Sequence, residues 1–338
     1  MPDTIQKSDF PRFGTLEEQL RFLLRYAVLA PSSHNTQPWK CEIDGNEIVL
    51  RADRSRAMPA LDPQGRELII SCGAVLHHLC LAIRAFDYAA LVQVFPDPHD
   101  PDVLARVRLA APRPATPEEE LLFSFITGRH TNRGPFQSRA LPDELLLALQ
   151  EEAKHEGATL LFTQSEEQKS EIVELIERGD IAQNHDPAVR RDIADWIAPL
   201  GGRSDGVPAQ ALGTGALSHL THRIFDRGQS VADNDAKLAD QAPILAVLCT
   251  QEDGKQAWLS AGQALSRILL RARSENVWAS FFSQPVQFDE ARLLLRHILD
   301  TSDYPQLVFR LGTAEPVPAT PRRLVADVTT TIASDEAG

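Results

Sequence analysis

The chain has little cysteine and no cysteine pair. Its 338 residues include four cysteines, and no two of them form a Cys-x-x-Cys motif. Scattered cysteines of this kind favour reduced thiols over a disulfide framework. We therefore predict that Cys41, Cys72, Cys80 and Cys249 are reduced and mostly buried.

The chain also lacks segments that would direct it to a membrane or out of the cell. No apolar run approaches the ~20 residues that cross a bilayer. The N-terminal residues Met1–Lys7 have neither the basic region nor the apolar region of a signal peptide. These absences predict a cytoplasmic protein with no membrane partner.

The chain has fewer basic than acidic residues. The chain has 47 acidic residues against 34 lysines and arginines, for a net charge of −13. This balance argues against a nucleic-acid backbone or an acidic membrane as partner. A local cluster of arginines could still bind an anionic cofactor. The remaining composition, 43% hydrophobic and 24% charged, is typical of one large or two ordinary globular domains.

The hydrophobic pattern predicts an α+β protein. Helical spacing of apolar residues alternates with short runs rich in Val, Leu and Ile. Asp44-Gly45-Asn46 predicts a hairpin, and the apolar run Leu68–Ala85 predicts a buried helix. The mixed order favours a sandwich around a central sheet. Predicted helices cover 16–29, 68–85, 118–126, 144–153, 167–178 and 258–272, and predicted strands cover 40–43, 47–52, 89–95, 104–109, 243–250 and 306–311.

The sequence contains an internal repeat. Ser71-Cys-Gly-Ala-Val-Leu76 aligns without a gap on Ser260-Ala-Gly-Gln-Ala-Leu265, and the match continues to Pro96 over Pro285. Pro-Ala-Thr-Pro then occurs at 114–117 and again at 318–321. We therefore interpret the chain as two fused copies of one unit, residues 1–118 and 119–338. Residues 184–235, rich in Gly, Asp and Arg, are interpreted as an insertion in the second copy that could act as a lid.

The residues that follow the repeated Pro-Ala-Thr-Pro differ in charge between the two copies. Three glutamates, Glu118–Glu120, follow the first Pro-Ala-Thr-Pro, whereas Arg322 and Arg323 follow the second. A second basic cluster, Arg129-His-Thr-Asn-Arg133, combines guanidinium forks with the hydroxyl of Thr131. Such groups suit a dianionic phosphate, which the glutamates would repel. A solvated surface is the alternative interpretation of a lone arginine pair.

The segment Ser32-Ser33-His34-Asn35-Thr36-Gln37-Pro38-Trp39 places short donors and acceptors beside prolines that fix the backbone. It resembles the FMN-contacting segment of the nitroreductase family. Arg129–Arg133 resembles the phosphate motif of that family, and Arg322-Arg323 resembles its C-terminal phosphate-binding cation. Asp62–Glu67, taken with Thr131–Phe136, is similar to the double-length Acg-like branch, in which two fused halves imitate the family homodimer.

The resemblance implies an α+β nitroreductase-like sandwich that binds one FMN per chain. It implies hydride transfer from NAD(P)H through FMN N5 to a nitroaromatic, a quinone or a similar acceptor. It assigns no catalytic side chain, because FMN carries the chemistry. A monomer is expected, since the halves mimic a dimer. The implied FMN-binding residues are Ser32, Ser33, Asn35, Gln37, Arg129, Thr131, Arg133, Ser283, Gln284, Pro285, Arg322 and Arg323.

The sequence leaves one alternative function open and offers one further signal that we discount. The first is an FMN-binding protein with little turnover, which sequesters the flavin or senses redox state under a lid. The second is a metal site at His77-His78-x-Cys80, which we discount because adjacent histidines cannot share one face of a helix. We therefore predict no metal.

Overall fold

A computed structural model describes residues 5–198, 203–208 and 229–332. Helices and strands alternate along these ranges. The helices are α1 (Leu16–Ala27), α2 (Arg66–Ala85), α3 (Pro117–Ser124), α4 (Asp143–His155), α5 (Glu166–His185), α6 (Pro187–Asp195), α7 (Gln229–Asp240), α8 (Lys255–Ser274), α9 (Gln284–Gln287), α10 (Asp289–Ile298) and α11 (Val325–Val328). The strands are β1 (Trp39–Asp44), β2 (Glu47–Ala52), β3 (Tyr88–Val94), β4 (Val103–Pro112), β5 (Ala158–Phe162), β6 (Ile197–Ala198), β7 (Val207–Pro208), β8 (Ile244–Thr250), β9 (Trp278–Phe281), β10 (Tyr304–Gly312) and β11 (Thr329–Thr331).

Local sequence explains where several of these elements begin and turn. Thr15 and Glu18 form a reciprocal capping box at the start of α1, and Thr116 with Glu119 does the same for α3. The β1–β2 hairpin turns at Gly45, whose φ of 57° lies in the left-handed region that glycine adopts without strain. These predicted elements are confirmed, with bounds that differ by a few residues.

The α+β class is confirmed, but the strands form two main sheets instead of one central sheet. The first sheet has the order β11-β1-β2-β4-β3, and the second has the order β5-β8-β10-β9. All neighbours in both sheets are antiparallel except β11, which runs parallel to β1. Two sheets form because α2 packs on the first, α8 packs on the second, and the two helices pack on each other.

Helix α2 lies at the centre of the protein. All but one of its residues are buried, and one hydrophobic core links it to α8 and to both sheets. By length and mean hydropathy this helix could cross a membrane, contrary to our expectation that no run in the chain could. Its most apolar window is 94% buried inside the protein, as in the core helix of a globular fold.

The four cysteines and the pair His77-His78 are packed in the core. All four cysteines are free and buried, as predicted. His77 Nδ1 lies 2.8 Å from Ser266 Oγ, and His78 Nδ1 lies 3.3 Å from the carbonyl oxygen of Tyr26. Burial lowers the pKa of both histidines, to about 3 for His78, so both rings are neutral near pH 7.

The predicted insertion at 184–235 is described only in part. Residues 199–202 and 209–228 lie outside the described residues. The described part contains α6 and a short parallel pair, β6 with β7. The sequence had shown only short periodicity here, and Asp186 begins α6 by accepting hydrogen bonds from the amides of Ala188 and Val189.

Candidate functional site

A cavity of about 240 Å³ lies where segments from distant parts of the chain meet. The first turns of α2 form one wall, the residues around β9 and α9 form another, and Arg322 closes one end. Ile193, Ile197 and Val207, which belong to the predicted insertion, also line it. The walls combine apolar side chains with a small number of polar groups, as in most cofactor and ligand sites.

The polar segment 32–37 forms one edge of this cavity in a strained conformation. His34, Asn35 and Gln37 have φ of 49°, 54° and 50°, in the left-handed region that side chains other than glycine rarely adopt. Ser32 Oγ accepts a hydrogen bond from the Gln37 amide at 2.9 Å and so holds the turn. Strain of this kind persists where surrounding contacts impose it, often at functional sites.

Contacts from two other segments impose this conformation. Asn35 Nδ2 donates to the carbonyl oxygens of Gly206 and Pro321, at 2.8 Å and 3.2 Å. Gln37 Nε2 donates to the carbonyl oxygen of Ser204 at 2.8 Å, and Gln37 Oε1 accepts from the Arg323 amide at 2.8 Å. Segment 32–37 therefore joins the predicted insertion to the C-terminal segment.

Four arginines cluster at and behind one end of the cavity. Arg133, Arg310 and Arg322 line it, and Arg129 lies behind them, with Nη2 3.1 Å from the carbonyl oxygen of Leu29. Burial lowers the pKa of Arg129 to about 9 and the pKa of each of the others to about 10, so all four are cations near neutral pH. The Arg322 charge contributes to the lowering of the pKa of Arg129, and the Arg133 charge contributes to the lowering of the pKa of Arg322.

This cluster has few anionic partners. Among the described residues, none of the four arginines is in an ion pair with a carboxylate. Within the part of the chain that the structure describes, Arg133 Nη1, Arg129 Nε and Arg310 Nε are buried without a hydrogen-bond partner. Asp235 lines the same cavity, and its charge partly opposes the lowered pKa of Arg133 and Arg310. Buried cations with unused donors have the charge and the hydrogen-bonding groups that an anion can bind.

Arg310 and Glu67 are among the cavity residues that sequence reasoning missed. Arg310 lies near the C-terminal end of β10, where its side chain is 1% exposed and its guanidinium group stacks 4.1 Å from the ring of Phe136. Glu67 lies in the first turn of α2, where its carboxylate accepts hydrogen bonds from Ser33 Oγ at 2.6 Å and Gln287 Nε2 at 2.7 Å. Burial raises the pKa of Glu67, although the charge of neighbouring Arg66 opposes the shift.

The structure brings together eight of the twelve sequence-predicted site residues on the walls of the cavity. They are Ser32, Ser33, Asn35, Thr131, Arg133, Ser283, Gln284 and Arg322. Four others do not line it. Arg129 lies behind the wall and Pro285 is buried next to it, while Gln37 holds the backbone of neighbouring segments. The Arg323 side chain donates to the carbonyl oxygens of Gln37 and Asp327, at 3.4 Å and 2.6 Å.

Comparison with known sequences identifies the family. The chain is 31% identical over 309 residues to the uncharacterized protein Rv3127 of Mycobacterium tuberculosis, which covers 88% of this chain and 89% of that protein. It is 28% identical over 337 residues to the acg protein of the same organism, which is named as a candidate NAD(P)H nitroreductase, with 97% of both chains covered. The chain belongs to the nitroreductase family, in its Acg-like branch, and is an oxidoreductase of that family. No protein-family model matches the chain.

Solved structures are similar to only part of this chain. The FMN-dependent nitroreductase NfnB from Mycobacterium smegmatis, in complex with NADPH, is 13% identical with a TM-score of 0.42, over 62% of this chain and 97% of that one. Iodotyrosine deiodinase bound to FMN and 3-iodo-L-tyrosine is 15% identical with a TM-score of 0.41, over 60% and 95%. Scores of this size carry no argument, and the family assignment comes from the mycobacterial relatives.

Proposed function

We propose that this protein is an FMN-dependent oxidoreductase that passes hydride from NAD(P)H to a nitroaromatic, a quinone or a similar small acceptor. One observation carries the proposal. Arg133, Arg310 and Arg322 meet at one end of a cavity without an ion-pair partner among the described residues, and two of them have buried donors with no acceptor. The phosphate of FMN supplies the charge and the acceptor oxygens that these groups lack.

The rest of the cavity suits a flavin ring. Ile70, Ala74 and Leu265 offer an apolar surface, while Ser32, Asn35 and Gln284 offer hydrogen-bonding groups around it. FMN would bring the redox chemistry, and the protein would bind, orient and tune it. The eight predicted residues on the wall are the proposed direct contacts. Arg129, Gln37, Pro285 and Arg323 would contribute from behind it, through charge or through the backbone that they hold.

We further propose that the protein is two fused halves, 1–118 and 119–338, that bind one FMN between them as a cytoplasmic monomer. The two main sheets share one antiparallel order if β11 is set aside, since β1-β2-β4-β3 matches β5-β8-β10-β9. The alignment of Ser71 on Ser260 places His77 over Ser266, and these two side chains contact each other at 2.8 Å. A contact between equivalent positions is expected at a pseudo-twofold axis.

A flavin assay followed by an anaerobic titration tests this function. Protein loaded with FMN should release one flavin per chain, and a value near two would contradict the single site. NADPH or NADH should bleach the flavin absorbance within the time of mixing, and a quinone should restore it. A yellow protein that neither nucleotide bleaches would contradict the oxidoreductase proposal.

A second function, flavin binding with little turnover, is favoured by a specific observation. The described part of the insertion reaches over the cavity, where Ile193, Ile197 and Val207 line the wall. It is fastened by an ion pair between Arg56 and Asp205. A closed lid of this kind would hold FMN while it limits access for the nicotinamide. The same titration separates the functions, because a sequestering protein stays yellow with NAD(P)H and bleaches only with a small reductant such as dithionite.

A further inference from the structure

The cavity contains a chain of three hydrogen-bonded groups that can each hold a proton. Ser33 Oγ lies between the other two, 2.6 Å from Glu67 Oε2 and 3.2 Å from His34 Nδ1. All three residues line the cavity, and Glu67 is 4% exposed. A hydroxyl group placed between a carboxyl group and an imidazole can donate to one while it accepts from the other.

The surrounding contacts fix this geometry. The Ser33 amide donates to Ser71 Oγ at 3.1 Å, and Ser71 Oγ in turn donates to the Glu67 carbonyl oxygen at 2.8 Å. Gln287 Nε2 holds the second carboxylate oxygen at 2.7 Å. The left-handed backbone of His34 keeps its ring beside the serine. The path is therefore set by three separate elements: segment 32–37, α2 and α9.

Burial favours the neutral form of Glu67, and the neighbouring groups act on its pKa in both directions. Burial and the charge of Asp62 raise its pKa, whereas Arg66 and the hydrogen bonds from Ser33 and Gln287 lower it. Arg66 Nη2 lies 3.5 Å from Glu67 Oε1, and the same guanidinium group also donates to the carbonyl oxygens of Val286 and Gln306. The charge of Arg292 lowers the pKa of Arg66, and the charge of Asp253 raises it. A carboxyl group on which opposing influences act in this way can both hold and release a proton.

We propose that Glu67, Ser33 and His34 form a proton-transfer path in which Glu67 donates the proton that accompanies each hydride delivered to the acceptor. The proposal rests on the proposed function. A quinone that gains a hydride carries one negative charge, and it becomes a neutral hydroquinone when it takes a proton from the Glu67 carboxyl group. The Glu67 O–H bond breaks, and the carboxylate remains.

The path then restores the carboxyl group. The Ser33 hydroxyl passes its proton to the carboxylate and takes another from His34 Nδ1–H, and the imidazole recovers a proton from solvent. The atoms balance, because one solvent proton enters for each proton that leaves. Transfer of hydride from NAD(P)H to FMN consumes no proton, so only the step toward the acceptor should depend on this path.

Glu67→Gln tests the proposal, because glutamine keeps the shape and can still hydrogen-bond to Ser33 but has no acidic proton. Protein loaded with FMN is reduced by dithionite and then mixed with a quinone, so the result does not depend on whether NAD(P)H is the reductant. Reoxidation should slow by at least ~10-fold, within the range that general acid catalysis contributes. Glu290→Gln, an exposed carboxylate on α10, should reoxidise at the wild-type rate.

A second readout does not use turnover. The infrared band of a protonated carboxyl group, followed in FMN-free protein from about pH 5 to about pH 9, should contain a component that Glu67→Gln removes and Glu290→Gln retains. Unchanged reoxidation in Glu67→Gln would overturn the proposal. Loss of FMN binding in that variant would also overturn it, because the carboxylate would then be a binding group.

Ser33→Ala provides the test if Glu67→Gln does not fold. It removes the hydroxyl between the two titratable groups but leaves both in place. Its steady rate of quinone reduction should fall by at least ~10-fold, because the Glu67 carboxylate can no longer regain its proton through the serine. A steady rate equal to that of the wild type would overturn the path through Ser33.

Discussion

Gly73 of α2 and Gly262 of α8 face each other where the two helices cross. A Cβ atom on Gly73 would lie 3.0 Å from the Gly262 Cα and would overlap the carbonyl oxygen of Leu259. A Cβ atom on Gly262 would lie 2.8 Å from the Gly73 Cα and would overlap the carbonyl oxygen of Ile70. The two helix backbones are therefore in direct contact, and the contact is reciprocal.

We expect Gly73→Ala or Gly262→Ala to destabilise the protein by at least about 2 kcal/mol, because an added methyl group must push two backbones apart. Denaturant unfolding followed by circular dichroism measures this change. Gly254→Ala is the matched control, since a Cβ atom there has open space and an extended backbone. Equal stability of all three variants would show that the helices do not approach this closely.

Arg133→Ala should weaken FMN binding by ~10–100-fold, because one charge-assisted hydrogen bond to phosphate contributes roughly 1.5–3 kcal/mol. Arg133 Nη1 has no hydrogen-bond partner among the described residues, so its loss should leave the fold intact. Fluorescence titration of the FMN-free protein gives the dissociation constants. The exposed Arg12, in the first half, is the control, and Arg12→Ala should bind FMN as the wild type does. Equal losses in both variants would place the phosphate elsewhere.

FMN binding should weaken as the pH rises above about 9. The pKa of Arg129 is lowered to about 9 by burial and by the Arg322 charge, so this guanidinium group is a cation below that pH and loses its charge above it. Fewer cations then face the phosphate. Riboflavin, which has the same ring without the phosphate, is the matched ligand. If riboflavin affinity falls as steeply as FMN affinity, the ring ionises and the arginine is not responsible.

Asp205→Ala should speed flavin reduction by NADPH about 3- to 10-fold, which corresponds to roughly 1 kcal/mol of opening cost removed. Asp205 forms an ion pair with Arg56 and a second with Arg203 at 2.8 Å, and the two arginines stack on the ring of Trp196. Stopped-flow absorbance measures the rate. Asp195→Ala, nearby and exposed, should leave the rate unchanged. An unchanged rate in both variants would show that this ion pair does not limit access.

All four cysteines should resist thiol reagents in the native protein. Burial raises the pKa of Cys41, Cys80 and Cys249 to about 12 and raises that of Cys72 further, so the reactive thiolate is scarce at any pH well below that value. A colorimetric thiol assay near neutral pH should detect no thiols before unfolding and four after it. Rapid labelling of one cysteine in folded protein would contradict this burial.

The sequence pattern was sufficient to predict the helices and strands whose signals lie within a short stretch of the chain. The apolar run 68–85 predicted α2, and Asp44-Gly45-Asn46 predicted the hairpin, because these signals are local. The sheet arrangement was not predicted, since whether strands form one sheet or two depends on helix packing far along the chain. Short elements such as β9 and β11 were missed, because a few residues carry no measurable period.

The site was predictable where side-chain type alone indicates chemistry. Arginines beside a threonine indicate phosphate, so Arg133 and Arg322 were identified. Arg310 was not, because it lies within the predicted strand 306–311, and a strand pattern does not show what a polar side chain on it contacts. Glu67 was not assigned a role either, since an acidic residue in the first turn of a helix is usually explained by the helix dipole. Only the fold shows that both side chains line one cavity.

The parallel pairing of β11 with β1 has a consequence for how the protein is made. β1 is near the start of the chain, and its neighbour β11 ends at Thr331. The ribosome therefore completes the second half before the first sheet can gain its last strand. Until then β1 is an open edge, and an unpaired edge strand is a site for wrong pairing with other chains. Truncation before Thr329 should make the nascent protein prone to aggregate while most of its sequence is intact.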